Sequence, residues 1–215
     1  GGGGGAGDFT LSSLFVGIEG GDKLPAGNTW VLPGYEHGEA MQKLKNDPFL
    51  KDTLLFISFA SSKDPTYQKR HPEKQTCQVC APSFYAPVEA FADKRVKKRG
   101  KDYEDLKERI KAIMLAGLLR EFPQLEGSIK YSDIGTAITN DYYLGTTKGA
   151  IYGLPHTPQR FRARWLRADT PVAGLYLSGQ DVLTCGIVGA AYAGVLTCCA
   201  MSWEFVKGGA RMFLN

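Results

Sequence analysis

Val172-Ala173-Gly174-Leu175-Tyr176-Leu177-Ser178-Gly179-Gln180-Asp181 is an apolar run that stops on a glycine-bearing turn. After Val182-Leu183-Thr184-Cys185 comes Gly186-Ile187-Val188-Gly189-Ala190-Ala191-Tyr192-Ala193-Gly194, a stretch of small residues. The first run predicts a strand over 172–178 and the second a helix over 186–206. Strand, turn, helix is the order in which α/β proteins build ligand sites at the carboxyl ends of strands. A carboxylate and glycine amides at such a strand end, before a helix N-terminus, can hold a polyhydroxylated, anionic cofactor. Asp181 would accept hydrogen bonds from ribityl or ribose hydroxyls. Gly186 and Gly189 would let the backbone approach a flat ring or a phosphate closely.

Upstream, two further blocks emerge. In the first, over 8–62, Leu14-Phe15-Val16-Gly17-Ile18, Thr29-Trp30-Val31-Leu32 and Leu54-Leu55-Phe56-Ile57-Ser58-Phe59 are short apolar or alternating runs between Gly, Pro and Asp, and predict strands. Glu39 to Leu44 reads as a short helix between them, and 61–74, with Pro65 and Pro72, as an exposed loop. In the second, a strand is expected over 75–84 and a helix over 87–95. A longer helix follows, capped by Asp102, with Glu104 and Asp105 in the first turn, where carboxylates suit the helix dipole. Its apolar face is Leu106, Ile110, Ile113, Gly117 and Leu118, and Pro123 ends it. A strand is expected over 128–138, and 144–167 lacks a regular period. No internal repeat emerges.

Composition sets the class. The chain has 215 residues, 43% hydrophobic and 22% charged, as globular proteins do. A net charge of +4 and a pI near 8.7 are too mild to argue for nucleic acid. Five cysteines, an odd count, argue against a secreted disulfide scaffold. The opening Gly-Gly-Gly-Gly-Gly-Ala-Gly is no signal peptide and reads as a linker or truncation.

Other candidate chemistry yields to plainer readings. Gly2-x-Gly4-x-x-Gly7 matches the dinucleotide pattern, but no strand precedes it and a strand, not a helix, follows. Cys77-x-x-Cys80 falls in an expected strand, and Cys185, Cys198 and Cys199 lack a second CxxC spacing, so two reduced thiols are expected. His37, His71 and His156 show no triad or metal spacing. Six of the eight residues from Lys94 to Lys101 are Lys or Arg. That run reads as a charged surface, or as a foot on an anionic membrane at roughly 1 kcal/mol per charge. The stretch 182–203 carries no charge and is long enough to span a bilayer, yet Gly, Ala, Thr and Cys dominate it, which favours a buried helix. Its small face should then pack on the sheet ending at Ser178.

The segment 175–190, Leu-Tyr-Leu-Ser-Gly-Gln-Asp-Val-Leu-Thr-Cys-Gly-Ile-Val-Gly-Ala, resembles the carboxyl-terminal flavin-contacting motif of the retinol saturase, phytoene desaturase and carotenoid isomerase family of flavoproteins. Arg99 to Lys107, Phe122 to Gly127, Thr139 to Leu144 and Lys148 to Gly153 are similar to other parts of the same family. The resemblance covers 76–203 well and 8–62 loosely. It implies a mixed α/β, glutathione-reductase-like FAD/NAD(P)-binding fold, represented by its carboxyl-terminal portion. A substrate-type domain would occupy 8–165, after a linker over 1–7, and the last strand and helix of the FAD domain would occupy 166–215. It further implies FAD, contacted by Gly179, Asp181, Gly186, Val188 and Gly189, with NAD(P)H as electron donor. Tyr143, Tyr152 and His156 would lie on the substrate side. The substrate would be a retinoid or carotenoid, and the location an endoplasmic reticulum or plastid membrane, not a secreted one.

The family's amino-terminal strand, glycine loop and helix have no counterpart in the sequence. The chain is therefore expected to depend on a missing amino-terminal half or a partner chain, and to bind FAD poorly alone. Two functions of different class follow. One is part of a FAD-dependent polyene oxidoreductase or isomerase. The other is a non-catalytic, flavoprotein-derived structural or pigment-contacting subunit of a membrane assembly. Bound flavin discriminates them.

Overall fold

A computed structural model describes residues 9–20 and 24–202. The chain forms two compact units, one of residues 7–151 and one that takes in residues from 152 onward.

In the first unit, β1 (Phe9–Glu19), β2 (Thr29–Val31), β3 (Leu55–Ser58), β4 (Lys74–Phe84) and β5 (Ile129–Gly135) form one antiparallel sheet in the order β2-β3-β4-β1-β5. β1 and β4 pair along their whole length, from Phe9 opposite Phe84 to Glu19 opposite Lys74. Side chains alternate across a strand, so one face of β1 buries Thr10, Ser12, Leu14, Val16 and Ile18 while the other is half-buried to exposed. The helix α1 (His37–Asn46) connects β2 to β3, and α2 (Tyr67–Arg70) precedes β4. The long helix α3 (Lys101–Glu121) covers the buried face, setting Met114 and Leu118 among Leu14, Leu55, Ile57 and Val79. Gly117 is bare for a steric reason, since a Cβ there would strike the Leu55 side chain. A second cluster joins Tyr85, Val88 and Tyr103 to Ala137 and Ile138 of α4 (Ala137–Leu144). The Thr136 N–H donates to Thr139 Oγ1 at 3.1 Å, which starts α4, and Tyr103 Oη lies 2.9 Å from Thr136 Oγ1.

The second unit contains α5 (Pro158–Arg162) and α6 (Gly186–Met201). Here the sequence expectation needs correcting. No strand forms over 172–178, where only Tyr176 makes a single bridge to Asp169. Gly174 turns the chain at φ +78° and interrupts the extended run, leaving the Tyr176 bridge and the Leu177 N–H, which donates to the Ala168 carbonyl at 2.8 Å. Accordingly α6 does not lie on a sheet edge. It touches this segment through Thr197 Oγ1, which donates to the Leu177 carbonyl at 2.9 Å, and it buries Gly189 and Ala193.

Smaller corrections follow from local geometry. The expected helix over 87–95 is a 3-10 turn, Ala86–Phe91. Gly100, at φ +92°, precedes α3 as its cap, with Asp102 inside the first turn. The expected strand over 128–138 stops at Gly135, because Thr136 begins α4. The expected loop 61–74 carries part of a 3-10 turn and α2. The sheet of this first unit is antiparallel throughout. Among the described residues no helix is long and apolar enough to cross a membrane. The glycines at 2, 4 and 7 and the end of the expected helix, 203–206, lie outside the described residues.

Candidate functional site

The second unit brings together most of the residues singled out in its sequence. Thr157 and Pro158 start α5, proline at the first helical position and Thr157 Oγ1 accepting the Arg160 N–H at 3.2 Å. That short helix aims Arg160, only 9% exposed, at the turn carrying Gly179 and Asp181. Its Nη2 donates to the carbonyls of Gln180 at 2.7 Å and Asp181 at 3.1 Å, and its Nη1 to the Leu154 carbonyl at 2.7 Å. Asp181 returns the tie, Oδ1 accepting the Leu154 N–H at 2.7 Å. Gly153 lies directly against that carboxylate, where a Cβ would collide with it.

His156 completes the stitching. Its Nε2 accepts the Cys185 N–H at 3.1 Å, which that nitrogen can do only without a proton. Cys185 is the cap of α6, so an imidazole satisfies one of the amides at the start of the helix. The His156 ring also packs 5.7 Å from Tyr152 and 5.8 Å from Phe161. Gly186, at φ +86°, opens α6 with nothing near the position of a Cβ, and Gly179, at φ +96°, is equally open. Gly189 is the opposite case: it packs on the Thr184 carbonyl so closely that a Cβ could not fit. Ile187 and Val188 are 90% and 69% exposed at the helix start.

Of the expected site residues, Gly179, Asp181, Gly186, Val188, Gly189, Tyr152 and His156 all belong to this unit. Tyr143 belongs to the other, on α4, where it lines an open groove. Sequence reading missed Arg160, the residue with the most bonds in the site. The Thr157-Pro158 pair is a helix-start signal within a stretch that otherwise lacks a period.

The cysteines are plain thiols. Cys77 is buried on β4, Cys80 is half-buried, and neither is in a disulfide. Burial pushes the Cys77 thiol up to about 12 and raises that of Cys80. Among the described residues no group of His, Cys, Asp and Glu has the arrangement to hold a metal ion.

The arrangement offers an amide-rich helix start, an exposed apolar edge and bare glycine backbone, held by the hydrogen bonds of Arg160, Asp181 and His156. No protein-family model matches the sequence. The chain is similar to the all-trans-retinol 13,14-reductase of Rattus norvegicus, 36% identical over 200 residues, which covers 88% of this chain and 33% of the relative. With that of Danio rerio it is 36% identical over 202 residues, 89% of this chain and 33% of the relative. It is also 30% identical over 146 residues to the inactive all-trans-retinol 13,14-reductase of Danio rerio, 66% of this chain and 24% of that protein. The chain thus spans about a third of the length of the first two. In sequence, this is an all-trans-retinol 13,14-reductase-like chain.

Proposed function

We infer that this chain is the flavin-contacting, carboxyl-terminal part of an oxidoreductase acting on the conjugated polyene of a retinoid. The observation that carries this reading is the start of α6. There His156 and Arg160 fix the backbone, Gly186 leaves it bare, and Ile187 and Val188 offer an apolar edge. First-turn amides without helical partners suit the electron-rich edge of a flat heterocycle, and the helix dipole adds to that attraction. The residues present therefore fit FAD, which when bound supplies the hydride chemistry.

In this reading Gly179, Gly186 and Val188 form the surface against the ring, and Gly189, buried on the Thr184 carbonyl, seats the helix start beneath it. One oxygen of Asp181 holds the Leu154 amide, and the other is the acceptor offered to a ribityl hydroxyl. Tyr152 and His156 stand on the substrate side, with NAD(P)H as the reductant. The names of the similar proteins support retinol as substrate. A retinoid partitions into lipid, which supports a location on a membrane face.

Native protein captured with an antibody against this chain tests the proposal. FAD should be released on denaturation, and incubation with all-trans-retinol and NADPH should give a product heavier by one H2. Native protein without flavin would overturn the reading in favour of a non-catalytic subunit, as would flavin without turnover of any retinoid or carotenoid.

A further inference from the structure

The first unit carries a separate feature that the flavin reading does not use. An open groove of about 750 Å3 lies between the segment before α3 and one side of α4. Lys94, Arg95, Lys97 and Arg99 line it from the first, Tyr142 and Tyr143 from the second. Arg99 is only 7% exposed, and its Nε is buried without a hydrogen-bond partner among the described residues. Its guanidinium faces the ring of buried Tyr103, 5.4 Å from the centroid. A ring face attracts a cation but accepts none of the planar N–H bonds that a guanidinium offers. A buried N–H of a charged group with no partner is costly, and such groups are ordinarily matched by an anion. The groove's own carboxylate, Asp141, accepts instead from Tyr85 Oη at 3.3 Å.

The geometry points to a phosphate-binding site in this groove, with Arg99 as the central ligand and Lys94, Arg95 and Lys97 around it. Guanidinium suits a phosphate because its N–H fork matches two oxygens at once, while the lysines add charge without fixing geometry. The exposed rings of Tyr142 and Tyr143, 4.9 Å apart and nearly perpendicular, form the wall against which the rest of a phosphorylated molecule would rest. The shared chemistry is a phosphate monoester, carried by a soluble molecule or by a lipid headgroup. The inference concerns the unit of residues 7–151 alone and stands whether or not the other unit meets a flavin.

The test uses the full chain. Calorimetric titration with inorganic phosphate and glycerol 3-phosphate covers the soluble source. Flotation with phosphatidylcholine vesicles, with and without phosphatidic acid, covers the lipid source. Arg99→Gln should weaken binding by about tenfold or more, the loss of one charge-assisted hydrogen-bonding partner. Lys69→Gln, which removes the same charge from exposed α2, should leave it within about twofold. The melting midpoint is a second readout. Phosphate at matched ionic strength should raise that of the parent chain but not of the variant. Should Arg99→Gln not fold, Arg99→Lys keeps the charge without the fork and should still lose affinity. Binding in either arm that depends on Arg99 supports the site and identifies the source. Binding in neither arm, or equal losses in Arg99→Gln and Lys69→Gln, overturns it.

Discussion

At the residue scale, Arg160 holds three backbone carbonyls across two loops while almost wholly buried. A neutral side chain of similar length would fill the space and leave those carbonyls without donors. Arg160→Met should therefore cost about 2–4 kcal/mol. The loss should appear as earlier urea unfolding and as proteolysis within 152–202, while 9–20 and 74–84 stay protected. Cys77 gives a second outcome. Its thiol is neutral at ordinary pH, so alkylation of the folded chain should spare it and modify exposed Cys198. Because its folded value of about 12 exceeds the unfolded value of 9.0, the native state keeps a proton that the unfolded state releases between them. Stability should therefore fall as pH rises through that window and be unaffected by this group below it; Cys77→Ala should flatten that part of the profile.

At the element scale, Gly189 sets how α6 begins. Its contact with the Thr184 carbonyl lets the 184–185 turn fold back onto the helix. Gly189→Val should cost about 1–3 kcal/mol by overpacking, read by thermal unfolding, whereas a valine at open Gly194 should cost less. The elements also show what sequence can and cannot carry. β1, β3, β4 and α3 are legible because their alternation or helical spacing is the direct imprint of one buried face. The segment 172–178 is not, since an apolar run records burial or binding but not pairing, and pairing needs a neighbour at the right distance. The turn Gly179 to Asp181 stands out in the sequence because glycine and a carboxylate interrupt an apolar run there. Arg160 is not legible, because its worth lies in carbonyls more than 20 residues away in one direction, at Asp181. The Lys94 to Lys101 run is legible as charge; only the fold separates buried Arg99 from its exposed neighbours.

At the scale of the whole molecule, one unit is an antiparallel sheet with its helix, and the other is a set of loops stitched to the start of α6. The first carries most of the core, while the second exposes Ile187, Val188, Tyr192 and Leu196 on its main helix. In this account those residues are a contact face for the flavin and for the rest of a retinoid oxidoreductase, and the ties at Asp181, His156 and Arg160 hold it in shape beforehand. Hydrogen exchange on the native protein, compared with and without its flavin, reads that claim at the amides themselves. Flavin should slow exchange over 179–189 and at 153–156, while the paired strands β1 and β4 exchange equally in both states. Unchanged exchange over 179–189, or protection confined to the first unit, would contradict it.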